Sequence, residues 1–87
     1  MKVISQPIEM IAWFKAKDYP KPLKFRMTTN GSELVVIKIN KIYEMREEKL
    51  AGIKSYVYKC SSFINNVNTI YEIKYIIDKC QWVLYKL

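Results

Sequence analysis

Leu23-Lys24-Phe25-Arg26-Met27 alternates apolar with basic residues, and an Asn30-Gly31 pair follows before the next apolar run opens at Leu34. A period of two sends successive side chains to opposite faces of a pleated strand, and Asn-Gly between two such runs is a hairpin signal. A chain built around this unit has to form a sheet, and its first pairing has to be antiparallel. The apolar phase also bears on register, because a slip of one residue moves every side chain to the other face. A two-residue Asn30-Gly31 loop would set Lys38 beside Leu23. A three-residue loop, Thr29-Asn30-Gly31 with Gly31 at positive φ, pairs Phe25 with Val35 and Leu23 with Ile37, and is the register the pattern predicts.

The same reading extends along the chain. Ile8 to Lys15 alternates as a first strand until Pro20 and Pro22 break it, and Leu23 to Thr28 forms the second. A third strand runs from Glu33 to about Tyr43, with a bulge near Asn40-Lys41 where the apolar phase slips. Glu44 to Gly52 is rich in helix formers and ends on glycine, which predicts one or two helical turns. Ile53–Ile64, Thr69–Ile77 and Trp82–Leu87 complete the set. The expected fold is all-β and mainly antiparallel: a six-strand meander curled into a small barrel or half-barrel, with one short helical turn between strands three and four. With 87 residues the chain holds one domain, residues 1–87.

No apolar run approaches the roughly 18 residues of a membrane span, and the N-terminus lacks the pattern of a secretory signal. These features predict a cytoplasmic protein with reduced cysteines. Counting register outward from the turns leaves Cys60 opposite Tyr71 or Glu72, about 20 Å along the sheet from Cys80. A disulfide needs Cα atoms within about 7 Å, so both thiols are expected to be free.

The chain has no histidine, which removes the commonest acid–base group at neutral pH and the usual partner of a nucleophilic Ser or Cys. Glu44, Glu47 and Glu48 lie beside Arg46 and Lys49, with nothing to raise their pKa values. Two glycines, Gly31 and Gly52, cannot make a phosphate loop. The sequence therefore predicts a non-enzymatic module with no catalytic, cofactor or metal site.

Two binding roles fit what remains. Strands five and six are apolar on both faces: Trp82 and Leu84 oppose Val83, Tyr85 and Leu87, and Tyr71, Ile73 and Tyr75 are backed by Ile70 and Ile76. One small core cannot absorb both sets. This predicts a protein–protein module acting as a homodimer through Ile70, Ile76, Val83, Tyr85 and Leu87. The alternative starts from the net charge of +7. Lys24, Arg26 and Lys38 share one face, and Lys59 and Lys74 could extend it, giving a basic nucleic-acid-binding barrel of OB- or SH3-like type. An exposed aromatic beside the basic cluster would favour this role, because bases stack on such rings.

Lys49-Leu50-Ala51-Gly52, Tyr58-Lys59-Cys60-Ser61-Ser62, Tyr71-Glu72-Ile73-Lys74-Tyr75 and Trp82-Val83-Leu84-Tyr85-Lys86 together resemble short uncharacterised proteins of Gram-positive bacteria, a domain of unknown function. Those proteins carry a Tyr-x-Leu-x-Tyr strand followed by Trp-x-Leu. The resemblance covers most of residues 23–87 and implies a bacterial all-β fold without an assigned activity.

Overall fold

A computed structural model describes residues 1–28 and 31–87. In chain order the strands are β1 (Val3–Trp13), β2 (Lys21–Thr28), β3 (Leu34–Lys38), β4 (Lys41–Leu50), β5 (Ile53–Ile64), β6 (Val67–Ile76) and β7 (Gln81–Lys86). A 3-10 turn, Ile77–Lys79, precedes β7. Sheet order is β3-β2-β1-β7-β6-β5-β4, antiparallel throughout, and the sheet curls into a half-barrel. Every ladder except β1–β7 joins strands adjacent in sequence. The all-β meander expected from the alternation is therefore present, with β5 spanning the expected Ile53–Ile64.

Three expectations need correction. First, Glu44–Gly52 is not helical. Glu44 to Leu50 lies in β4, paired with β5 from Glu44↔Lys59 to Leu50↔Ile53. Ala51 (φ 51°) and Gly52 (φ 83°) form the two-residue turn between them. Cross-strand pairing on a ready β5 outweighs a helix propensity that amounts to tenths of a kcal/mol per residue. The glycine read as a helix stop serves the hairpin instead, because both uses need positive φ.

Second, the expected third strand is divided, which raises the count to seven. Ile39 N–H donates to the Leu23 carbonyl of β2 at 3.0 Å, while the next N–H, from Asn40, donates to the Ser61 carbonyl of β5 at 2.9 Å. The chain thus leaves one edge of the sheet and joins the other within two residues. The Asn40 side-chain Oδ1 accepts the Phe63 N–H at 3.1 Å, which secures the corner. The apolar phase slips at this break, near the expected bulge, and again between Ile42 and Glu44.

Third, the β2–β3 register is two residues from the one expected. Phe25 faces Ile37 and Met27 faces Val35. Parity survives a shift of two, so the faces were read correctly and the partners were not. Thr29 and Asn30, the first two residues of the expected loop, lie outside the described residues, and the positive φ expected at Gly31 is found instead at Ser32 (62°).

The concave face holds the core: Ile8, Phe25, Ile37, Tyr58, Cys60, Tyr71, Ile73, Tyr75, Trp82 and Leu84. Cys60 lies opposite Tyr71, one of the two partners that counting from the turns allows. Aromatic rings pack within it, Tyr75 on Trp82 at 4.6 Å and Phe25 on Tyr71 at 5.8 Å between centroids. The buried hydroxyls are satisfied locally. Tyr58 donates to the Pro20 carbonyl at 2.5 Å, and Tyr71 shares a 2.5 Å hydrogen bond with Ser62. Cys60 is buried and Cys80 exposed in the β6–β7 turn, and both are free. No helix among the described residues is long and apolar enough to cross a membrane.

Candidate nucleic-acid interface

The convex face divides into two regions of different chemistry. Over β4, β5, β6 and β7 a network of charged side chains, Arg46, Glu48, Glu72 and Lys74, is paired. Arg46 reaches Glu72 at 3.3 Å and Glu48 at 3.8 Å, and Lys74 reaches Glu48 at 3.0 Å. The Lys74 ammonium also sits 3.8 Å from the Tyr85 ring centroid. The hydrogen bond to Glu72 raises the Arg46 pKa further. Val57 lies in register between Arg46 and Lys74, and Val83 faces Lys74. Both valines are buried on what would otherwise be an open face, with exposures of 0% and 6%. Aliphatic stems of long charged side chains cover apolar surface in this way while their heads stay in water.

This arrangement bears on both sets of expected site residues. Lys74 is bound to Glu48 and so does not extend a free positive surface, while Lys59 lies in register between Glu44 and Glu72 without an ion pair to either, on the far side of the sheet from Lys24 and Lys38. Of the expected dimer residues, Val83 is already covered within the chain. Ile76 and Tyr85 are half-buried, and Ile70 and Leu87 are exposed. Their neighbours of opposite parity, Tyr75 and Leu84, are in the core as expected.

Over β1, β2 and β3 the composition reverses. Ladder register sets out four rows on the convex face: Trp13 beside Lys21; Ile11, Lys24 and Lys38 in line; Glu9, Arg26 and Val36 in line; and Thr28 beside Leu34. With strands about 4.8 Å apart and residues about 3.4 Å apart along each, the surface is about 10 Å across and about 14 Å from Glu9 to Trp13. Ile11, Trp13, Leu34 and Val36 are all more than half exposed. Among the described residues Lys21, Lys24 and Lys38 have no carboxylate within ion-pair distance, and Lys24 stands directly across from Lys38. Arg26 differs. Its Nε donates to Glu9 Oε1 at 2.7 Å and its second amino nitrogen to Oε2 at 3.4 Å. That pairing holds the Glu9 carboxyl below its ordinary pKa and raises that of Arg26.

A β-bulge fixes the upper rows. The β1–β2 register shifts between Ile11 and Ala12, so Leu23 is the extra residue and Pro22 turns inward, where it is fully buried. Lys21 thereby returns to the convex face opposite Trp13. The Lys15 ammonium lies 4.5 Å from the Trp13 ring centroid, so the ring face attracts cations. A groove of about 420 Å³ runs along these rows, and Glu9, Ile11, Lys24, Arg26 and Val36 line it.

The structure thus brings Lys24, Arg26 and Lys38 together as expected, and adds residues that reading the basic residues alone overlooked. Trp13, Ile11 and Glu9 share parity along β1, a signal already present in the alternation of that strand. Among the described residues no group of Cys, Asp and Glu has the geometry to hold a metal.

The fold and this surface define a class: a small antiparallel β half-barrel with a mixed basic and apolar convex sheet. Comparison of the chain with protein-family models, with curated proteins and with solved structures finds no match.

Proposed function

We propose that the chain is a non-enzymatic, cytoplasmic binding module whose β1–β2–β3 convex face takes single-stranded nucleic acid. One observation carries this reading: Lys24 faces Lys38 across an antiparallel ladder, with exposed Ile11 and Trp13 beside them. Like charges directly opposite one another destabilise a sheet, and a polyanion turns that cost into binding energy. Phosphates bridge Lys21, Lys24 and Lys38, and a base stacks on Trp13 once Lys15 moves from the ring to a phosphate. Charge is distributed to match. Residues 1–41 hold eight Lys or Arg against three Asp or Glu, and residues 42–87 hold seven against five. The expected homodimer contact is supported by exposed Ile70 and Leu87, but the covering of Val83 weighs against its centre.

Fluorescence anisotropy with a labelled oligodeoxythymidine tests this. For three phosphate contacts log K should fall with log salt at a slope of about −2, at about 0.7 per phosphate on a single strand. Lys24→Gln with Lys38→Gln should reduce that slope by about 1.4 without lowering stability, since it removes a like-charge pair. Light scattering on the same samples reports how many chains act together. No binding at low salt would refute the proposal.

A further inference from the structure

We infer that the groove between Ile11 and Val36 is a base-reading subsite, in which the Arg26–Glu9 pair selects guanine. This rests on the proposed single-strand surface and assigns its specificity. An arginine has five N–H donors in a planar fork. Glu9 occupies one edge of the Arg26 fork, the Nε–H and an N–H of one amino group, at 2.7 and 3.4 Å. The opposite edge, formed by the two amino groups, keeps two parallel N–H donors free.

Two features make that free edge a reader of bases rather than a phosphate anchor. The first is charge. Glu9 offsets the guanidinium and places a carboxylate beside any incoming group, so an anionic phosphate gains little there and is repelled by Glu9. Lys24 and Lys38, which have no such partner, suit phosphates better. A neutral base meets no such repulsion. The second is shape. The groove, about 420 Å³, falls within the roughly 300–1,000 Å³ typical of small-molecule sites. Ile11 and Val36 offer apolar flanks to a flat ring and are 56% and 64% exposed in the free protein.

Guanine fits two parallel donors because its O6 and N7 are both acceptors on one edge. Adenine sets its N6 amino group against one donor, and thymine offers O4 beside an N3–H. An unpaired cytosine does present two acceptors, N3 and O2, on its Watson–Crick edge, but its smaller ring covers less of the apolar flanks than a purine does, so it ranks below guanine. The carboxylate of Glu9 contributes by fixing the guanidinium plane, so that the free edge is already aimed when the base arrives. Arg26 is the reading residue and Glu9 its positioning residue.

The test uses the full chain and labelled decamers of thymidine that carry one central dG, dA or dC, or none. The dG strand should bind at least about fivefold more tightly than the dA strand and plain oligothymidine, with the dC strand between. Arg26→Lys keeps the charge but loses the fork, so it should abolish that preference while leaving affinity for plain oligothymidine within about twofold. Glu9→Gln should narrow the preference and, by freeing Arg26 for phosphate, strengthen binding to every strand. Circular dichroism confirms that the variants are folded, as expected for an exposed pair. Equal binding of all four strands, unchanged by Arg26→Lys, would overturn the inference and leave the functional proposal standing. If none of the strands binds at low salt, the functional proposal fails and the inference fails with it.

Discussion

Replacing Ala51 with asparagine should stabilise the protein. Ala51 and Gly52 are the two turn residues between Leu50 and Ile53, at φ 51° and 83°. A two-residue hairpin loop with both residues at positive φ is the type I′ turn, whose twist matches that of the strands it joins. Alanine in the left-handed region costs roughly 1–2 kcal/mol, because its Cβ crowds the following carbonyl. Asparagine is several-fold enriched there, and a several-fold population ratio corresponds to about 0.5–1 kcal/mol. Ala51 is exposed, and even a Cβ added to Gly52 would meet nothing within 4 Å, so a larger side chain has room. The gain should therefore be about 0.5–1 kcal/mol. In a domain of this size that raises the melting temperature by about 2–8 °C. The converse change, Asn66→Ala in the equivalent Asn65-Asn66 turn (φ 52° and 64°), should cost a similar amount. Urea titrations followed by tryptophan fluorescence measure both. The sign is what decides. If residues 44–52 formed a helix ending at Gly52, Ala51→Asn would replace the best helix former with a poor one and lower stability by up to about 0.7 kcal/mol. A lower urea midpoint for Ala51→Asn would refute the hairpin argument.

Two further outcomes follow from the core. Burial pushes the Cys60 thiol and the Tyr71 hydroxyl each up to about 12 and raises Tyr58 as well. In the unfolded chain these groups ionise near 9 to 10, so above that range the folded state binds more protons and stability falls as pH rises. The loss is about 1.4 kcal/mol per pH unit for each group, and the urea midpoint should drop sharply between pH 9 and pH 11; an unchanged midpoint would contradict the burial of these groups. A thiol reagent at neutral pH should modify Cys80 promptly in the folded protein and Cys60 only after denaturation, and rapid reaction of both would show that Cys60 is not sealed in the core.

The residues that were legible in the sequence are those governed by local rules. Alternation and turn residues were enough to place β5, to put Tyr71, Ile73 and Tyr75 on one face, and to bring Cys60 to within one residue of its partner Tyr71. β4 was not legible, because Glu, Met, Arg, Lys and Leu favour a helix locally and the opposing preference comes from β5 across the sheet. The β2–β3 partners escaped for a related reason: apolar parity tolerates a shift of two residues, and only the whole sheet selects among such shifts. The basic cluster was legible on β2 and β3, where like residues alternate. On β5 and β6 it was not, because the carboxylate that pairs with Lys74 comes from β4 and those that stand in register beside Lys59 come from β4 and β6. Trp13 took its place on the surface only once the β1–β2 bulge had set Lys21 opposite it.

The corner at Ile39 and Asn40 also governs the order in which parts of the chain can meet. Because the chain changes edges there, residues on either side of the corner form two separate runs of neighbouring hairpins, one of three strands and one of four. Each run assembles through short loops. Among the ladders of the described residues, β1–β7 is the one that joins distant segments, setting Ile8 beside Trp82 across most of the chain. Loop-closure entropy therefore weighs most on that seam. Ile8, Trp82 and Leu84 are enclosed only when it closes. The convex face that carries Lys24 and Lys38 lies entirely within the three-strand run, so its shape does not wait on the seam.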